Sequence, residues 1–167
     1  MGAPLHHLTT HPLESVLRRI PILPFALSVS LSLAMPVGAQ LDGLLTAPER
    51  TGWVETTRYA EAIAFLQAVA DAAPNAHLTR MGYTQEGRAI PLLVVGDVPD
   101  ASPEAVRASG LLRVYLQGNI HGGEVPGKEA LLMLVRELVQ EPGSPWLDEL
   151  VLLVAPVYNA DGNERVR

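Results

Sequence analysis

A short apolar run that leads into a glycine-rich turn and then into a helix pattern constrains this chain more than any other feature. The run Leu111–Leu116 has the length of a strand, and Gly118 with Asn119 ends it. Apolar residues then recur at helical spacing over residues 127–140. The pattern predicts a buried strand, a tight turn and a long helix packed against a sheet.

The second apolar run, residues 150–157, has almost no polar residue, which is typical of a central parallel strand. Together with the preceding strand and helix it predicts a strand–helix–strand crossover. Upstream, strand patterns at 78–83 and 90–95 flank Glu86-Gly87 and predict a hairpin. The sequence therefore predicts an α/β fold with a mixed, largely parallel sheet.

Two further helices are expected to flank this sheet. Apolar residues recur at helical spacing over 57–73, and a short helix should begin near Ser102-Pro103. Residues 40–56 and 159–162 contain glycine or proline signals, and we expect an irregular lead-in and a turn there.

The turn after the first strand carries two candidate metal ligands, His121 and Glu124. Ligands gather where strands of an open α/β sheet end, and Gly122 and Gly123 allow a sharp bend that could aim both side chains at one point. Glu124 also lies at the helix start, where the helix dipole favours an ionised carboxylate. Neutral imidazole with carboxylate is a usual ligand pair for zinc.

The spacing alone leaves an alternative open. Glu124 could simply be a helix-start carboxylate, and His121 a histidine in a surface loop. His77 is expected to be a solvated or capping residue near a helix end.

Three segments together resemble the zinc carboxypeptidases of the carboxypeptidase A/B-like metallopeptidase family. They are Gly118–Glu124 (Gly-Asn-Ile-His-Gly-Gly-Glu), Asn159–Gly162 (Asn-Ala-Asp-Gly, with Ala160 where the family usually has proline) and the hairpin segment Gly82–Arg88. The resemblance implies a carboxypeptidase-like fold, zinc as cofactor with His121 and Glu124 as two of its three ligands, and a peptide or protein C-terminus as substrate.

The resemblance also indicates what this chain lacks. The family takes its third zinc ligand from a histidine well beyond the Asn159–Gly162 turn, and its glutamate general base, substrate-binding arginines and catalytic tyrosine come later still. No catalytic residue can therefore be assigned within the 167 residues. We expect residues 40–167 to be the N-terminal part of a catalytic domain, with an incomplete sheet at the C-terminus, truncated and catalytically inactive by itself.

Two alternative functions stay open. Zinc amidohydrolases of N-acyl amino acids related to aspartoacylase share the fold and have a motif similar to Gly118–Glu124, although Asn159–Gly162 favours the peptidases. A secreted, non-catalytic binding module is the other alternative. Such a module would need a protected sheet edge, and the apolar strand that ends at Val157 does not have the character of one.

Residues 1–39 are predicted to be a signal peptide. Arg18 and Arg19 precede an apolar stretch, and small residues at 37–39 suit cleavage before Gln40. Prolines and serines in the stretch disfavour the alternative of a membrane anchor, so export to the periplasm or the extracellular space is expected, without stable membrane insertion after cleavage.

The composition narrows the chemistry further. The net charge is -6 and no basic stripe is present, which disfavours nucleic acid as a partner. The absence of cysteine excludes thiol catalysis, cysteine-ligated metal and disulfides within the chain.

Overall fold

Four strands form the centre of the fold, as a hairpin followed by a strand–helix–strand unit. The structure is a computed structural model that describes residues 2, 41–140 and 144–165. Its strands are β1 (Ala76–Tyr83), β2 (Ala89–Val95), β3 (Leu112–Gln117) and β4 (Leu150–Ala155). All four belong to one unit of the chain, residues 34–167.

Six helices are described around these strands: α1 (Ala47–Thr51), α2 (Tyr59–Ala72), α3 (Pro103–Ala108), α4 (Val125–Gln140), α5 (Pro145–Glu149) and α6 (Ala160–Arg165). The predictions of α2, α3 and α4 are confirmed. Helix α3 begins as expected after Ser102, whose Oγ accepts a 3.1 Å hydrogen bond from Ala105 N.

Helices α1 and α6 lie where an irregular lead-in and a turn were expected, so both of those predictions are wrong. The Glu49 carboxylate accepts a 2.8 Å hydrogen bond from Thr46 N and closes the first turn of α1. Pro48 is compatible with that first turn, and Gly52 ends the helix with φ 64°. The glycine and proline that suggested irregular structure are therefore the start and stop of a short helix.

The strands are ordered β1-β2-β4-β3 in one sheet. Strands β1 and β2 are antiparallel, β2 and β4 are antiparallel, and β3 and β4 are parallel. The predicted mixed α/β architecture is confirmed, and so is the crossover that joins β3 to β4 through α4. Parallel pairing is confined to β3 and β4 among the described strands, because the hairpin adds its two strands in the antiparallel sense.

Side chains alternate between two apolar layers, one on each face of the sheet. The larger layer holds Leu93 and Val154 from the sheet, Leu66 from α2 and Val135 from α4, all buried. The smaller layer lies on the opposite face and includes Val94, Val106, Val151 and neighbouring apolar residues. The fold is thus a three-layer arrangement with the sheet in the middle.

Strand β3 is less buried than its sequence predicts. It pairs only with β4 among the described strands, and Leu112 and Tyr115 are 66% and 45% exposed. The expectation of a buried strand is wrong here because β3 is an edge of the described sheet. Strand β4 does lie in the interior of the sheet, as its apolar sequence indicates.

The predicted signal peptide, residues 1–39, and its expected cleavage site before Gln40 lie outside the described residues, apart from Gly2. Within the described part of the chain, none of the helices combines the length and the apolar character that crossing a membrane requires.

Candidate metal centre

Two loops lie against each other at the end of the parallel strand pair. The first connects β3 to α4 over residues 118–124, and the second follows β4 over 156–159. Gly118 N donates to Ala155 O at 3.0 Å, and Tyr158 N donates to Gly118 O at 3.2 Å. The two motifs singled out in the sequence therefore meet in space, because the carboxyl ends of adjacent parallel strands lie on the same edge of the sheet.

His121 and Glu124 are brought together within the first of these loops. Nδ1 of His121 lies 2.8 Å from Oε1 of Glu124, and His121 N donates to Oε2 of the same carboxylate at 3.0 Å. Glu124 N donates in return to His121 O at 2.9 Å. The convergence of the two side chains is thus found, and their role as metal ligands stays a prediction.

Both side chains face solvent, with 81% of the His121 side chain and 56% of the Glu124 side chain exposed. Hydrogen bonds from the His121 side chain and then from its backbone N–H lower the pKa of Glu124 below its ordinary value. The carboxylate is therefore ionised at neutral pH. This arrangement offers an accessible anion and an imidazole nitrogen at one point of the surface.

The donor set and its spacing suit zinc. Zinc binds imidazole nitrogen and carboxylate oxygen at about 2.0–2.2 Å, so two such ligands of one ion lie about 3 Å apart. The Nδ1 to Oε1 distance of 2.8 Å is close to that separation. No cluster of three or more potential metal ligands is found among the described residues, so His121 and Glu124 could supply at most two ligands at this place.

Asn119, and neither of the two glycines, makes the left-handed turn of this loop. Its φ is 54°, whereas Gly122 and Gly123 are absent from the positive-φ residues of the described chain. The bend between His121 and Glu124 still runs through these two glycines, since they are the central residues of the turn that the hydrogen bond from Glu124 N to His121 O closes. Asparagine adopts the left-handed conformation found at Asn119 more readily than most other non-glycine residues. Its position directly after a strand and Gly118 was the signal that could have identified it.

Gly122 is also required because the start of α6 approaches it closely. A Cβ built on Gly122 would lie 2.6 Å from the carbonyl carbon of Gly162, far inside van der Waals contact. A Cβ on Gly123 would meet nothing within 4 Å. The first glycine thus lets the metal loop pack directly on the start of α6, and the second is free of this constraint.

A buried polar network lies on α4, the helix that follows the loop of residues 118–124. The sequence did not lead us to expect it. Lys128 is fully buried on α4, and its Nζ donates to Thr57 O at 2.5 Å and to Asn163 Oδ1 at 2.6 Å. The Glu129 carboxylate accepts hydrogen bonds from Thr56 Oγ1, Thr57 N and Thr57 Oγ1. Burial lowers the pKa of Lys128, while nearby Glu129 raises it. The sequence signal that could have revealed this network is the adjacent charged pair, Lys128 and Glu129, within an otherwise apolar helix pattern.

The hairpin tip is bound to the start of α6 by an ion pair and a hydrogen bond, both to Asp161. Arg88 Nη1 lies 2.7 Å from Asp161 Oδ1, and Thr84 Oγ1 donates to the same oxygen at 2.7 Å. These residues belong to the segments Gly82–Arg88 and Asn159–Gly162. All three motifs named in the sequence analysis are consequently in one neighbourhood.

His77 does not join this centre. It lies on β1, where its Nε2 is 2.8 Å from Val98 O. The expectation of a solvated or capping residue near a helix end is wrong, because His77 is half-buried within a strand and is paired with a backbone carbonyl.

Comparison with known proteins identifies the family. A family model described as zinc carboxypeptidase matches residues 62–167. Carboxypeptidase 2 of Trichophyton rubrum is 36% identical over 83 residues, which are 47% of this chain and 15% of that protein.

Solved structures agree with that match. The carboxypeptidase A of Helicoverpa armigera is 25% identical with a TM-score of 0.57, covering 66% of this chain and 26% of that one. A metallo-carboxypeptidase from Burkholderia cenocepacia is 26% identical with a TM-score of 0.51, covering 62% of this chain and 27% of the other. The chain thus spans about a quarter of each of these two solved chains. It belongs to the zinc carboxypeptidase family.

Proposed function

We propose that this chain is part of a zinc-dependent metallocarboxypeptidase, which removes residues from the C-termini of peptides or proteins. One observation carries the proposal: His121 Nδ1 and Glu124 Oε1 meet at 2.8 Å on an exposed strand end, in a member of the zinc carboxypeptidase family. An exposed pair such as His121 and Glu124 would contribute little to stability, so a purely structural role does not explain their convergence.

His121 and Glu124 are the residues that would hold zinc in this enzyme. Bound zinc polarises a substrate carbonyl and lowers the pKa of a coordinated water. The chain's own contribution is to present an ionised carboxylate beside an imidazole nitrogen. The exposure of both side chains leaves the remaining directions open for a further ligand, water and substrate.

The third zinc ligand and the general base of this proposed enzyme come from outside the described residues. The described part of the chain contains no cluster of three candidate ligands. We therefore expect the 167-residue chain by itself to bind zinc weakly and to lack peptidase activity, because a tight metal site needs a complete ligand set.

We also propose that the protein is exported to the periplasm or the extracellular space. The basic pair Arg18-Arg19, the apolar stretch and the small residues before Gln40 support this. Sequencing the N-terminus of the exported protein should give a start close to Gln40. Recovery of chains that begin at Met1 from the membrane fraction would contradict it.

Zinc titration with two matched pairs of variants tests the metal assignment. His121→Ala and Glu124→Ala should each abolish the weak zinc binding of the chain, measured by equilibrium dialysis with metal analysis. His77→Ala and Glu104→Ala replace the same residue types away from the site and should leave binding unchanged. Zinc retention after both His121→Ala and Glu124→Ala would refute the assignment.

Activity is tested on this chain extended by the remaining part of a zinc carboxypeptidase catalytic domain, because the chain spans about a quarter of the solved carboxypeptidases it matches. This protein should bind one zinc tightly and release C-terminal residues from peptides, and His121→Ala should remove both properties. Hydrolysis of N-acyl amino acids without hydrolysis of peptides would favour an amidohydrolase instead. Tight peptide binding without turnover would favour a binding module.

A further inference from the structure

Side-chain amides donate hydrogen bonds to three consecutive backbone carbonyls, those of residues 120–122, in the loop that carries His121 and Glu124. Asn159 Nδ2 donates to Ile120 O at 3.1 Å. Asn119 Nδ2 donates to His121 O and to Gly122 O, each at 3.2 Å. The peptide groups on both sides of His121 are therefore fixed by two asparagines, because rotation of any of them would break one of these hydrogen bonds.

Asn119 holds these contacts at the expense of its own local stability. It combines a left-handed backbone with near-complete burial, since only 2% of its surface is exposed. Its side-chain oxygen Oδ1 has no hydrogen-bond partner among the described residues. An unfavourable backbone conformation and an unsatisfied buried acceptor at one residue are typical of functional sites, where the surrounding structure keeps them for a purpose.

Asn159 connects the same loop to the start of α6. Its Oδ1 accepts from Gly162 N at 2.8 Å, which fixes the side chain. Its backbone N donates to Asn119 O at 3.0 Å, so the two asparagines are also linked directly. Because α6 begins at Ala160, the orientation of the Asn159 amide is set by the first turn of that helix.

We infer that Asn119 and Asn159 are positioning residues that hold the peptide groups of residues 120–122 so that His121 and Glu124 point to one place. This inference rests on the proposed metal role of that pair. Neither asparagine touches the candidate metal position. Their effect passes through the backbone, since His121 N and Glu124 N make the reciprocal hydrogen bonds that close the loop.

Three variants of the full 167-residue chain separate this role from general stability. Asn119→Gly retains access to the left-handed backbone and removes the amide. Asn159→Asp retains the acceptor for Gly162 N and replaces the donor to Ile120 O with an oxygen. Asn75→Asp is the matched control, because Asn75 lies in the turn between α2 and β1, away from the loop.

Amide hydrogen exchange without metal is the first measurement, because it does not depend on zinc or activity. Asn119→Gly and Asn159→Asp should each speed exchange at the His121 and Glu124 amides by at least tenfold. Exchange at Leu93 and Val154, in the interior of the sheet, should change by less than twofold. Asn75→Asp should change none of these four rates.

Zinc titration, followed by the 15N resonances of the His121 ring, is the second measurement. Both loop variants should weaken zinc binding by at least fivefold, and Asn75→Asp should not weaken it. Unchanged exchange at His121 and Glu124, or equal acceleration at all four amides, would overturn the inference. If Asn119→Gly does not fold, Asn159→Asp with Asn159→Ala decides the question by the same criteria.

A separate variant distinguishes failure of this inference from failure of the proposed function. If His121→Ala abolishes zinc binding while Asn119→Gly and Asn159→Asp bind zinc normally, the inference fails and the metal assignment stands. If His121→Ala leaves zinc binding intact, the metal assignment fails, and accelerated exchange in the loop variants would then show control of the loop backbone alone.

Discussion

Lys128 Nζ and Asn163 Oδ1 are joined by a 2.6 Å hydrogen bond that connects α4 to α6 across the interior of the molecule. These helices follow the two loops that meet at the candidate metal centre. The same ammonium group donates to Thr57 O, so the segment before α2 is held at the same point. The relative placement of the two loops thus depends on a charged group that is entirely removed from solvent.

Replacement of Lys128 should destabilise the chain strongly. Lys128→Met leaves Thr57 O, Asn163 Oδ1 and the buried Glu129 carboxylate without their cation, and loss of one partner from a buried ionic network costs about 3–5 kcal/mol. Urea unfolding followed by circular dichroism measures the free energy of unfolding. Arg107→Met, which removes a cation whose side chain is 59% exposed, should change it by only about 0.5 kcal/mol. A loss below about 1 kcal/mol for Lys128→Met would contradict this reading.

Glu49 should contribute to stability above pH 4.5 and lose that contribution in acid. The guanidinium of Arg136 is the main cause that lowers the pKa of Glu49 from 4.5 to about 2. Because the folded-state pKa lies below the unfolded one, the contribution is complete above pH 4.5 and disappears as pH falls towards 2. At 1.36 kcal/mol for each pKa unit, about 3 kcal/mol is the upper bound of this contribution at neutral pH, because solvent screening reduces it.

The measurement for Glu49 is the free energy of unfolding between pH 2 and 7. Glu49→Gln should lower it at pH 7 and flatten its slope between pH 2 and 4.5. The control is Glu104→Gln, which changes a carboxylate whose side chain is 76% exposed and should retain the slope. An identical slope in Glu49→Gln and the unsubstituted chain would show that other carboxylates carry the acid sensitivity.

The two glycines between His121 and Glu124 should respond very differently to alanine. A methyl group at Gly122 would collide with the backbone of Gly162, and overpacking of this kind costs about 1–3 kcal/mol. Because relief requires separation of the two loops, Gly122→Ala should also weaken zinc binding. Gly123→Ala has free space around its Cβ and should have little effect on either property. Thermal unfolding and zinc titration of the two variants provide the test, and equal effects would contradict the packing argument.

The left-handed turn of the hairpin gives a further prediction. Gly87 has φ 81°, and an added Cβ there would meet no atom within 4 Å, so strain alone opposes a side chain. Gly87→Ala should cost about 1 kcal/mol, and Gly87→Asn should cost less because asparagine tolerates this conformation. Chemical denaturation of both variants checks the order. A larger loss for Gly87→Asn would assign the effect to packing instead.

Much of the fold follows from local patterns that the sequence displays directly. The apolar spacing of Ile63, Leu66 and Val69 predicts α2, and the unbroken run over β4 predicts an interior strand. The direction of strand pairing was harder to predict from the sequence. The apolar content of a hairpin does not reveal whether its strands join the sheet in the parallel or the antiparallel sense. The exposure of β3 also depends on which strands lie beside it, and a single strand's sequence carries no such information.

The sequence predicts the candidate metal ligands of the site better than the contacts that position them. His121 and Glu124 could be named because few residue types bind metal and their spacing is short. The roles of Asn119 and Asn159 depend on contacts between segments about forty residues apart. Lys128 and Glu129 were hidden for a similar reason, since burial of a charge depends on partners such as Thr57 that lie 71 residues away.

These distant partners determine when the first part of the chain can become ordered during synthesis. Arg136 binds Glu49 and Leu44 O, and Glu129 accepts hydrogen bonds from the backbone and hydroxyl of Thr57, so side chains of α4 hold several points of the segment before α2. A ribosome must therefore make more than seventy further residues after Thr57 before its partners exist. Until then closure of so long a loop has no compensating contacts, and the segment before α2 stays available to chaperones.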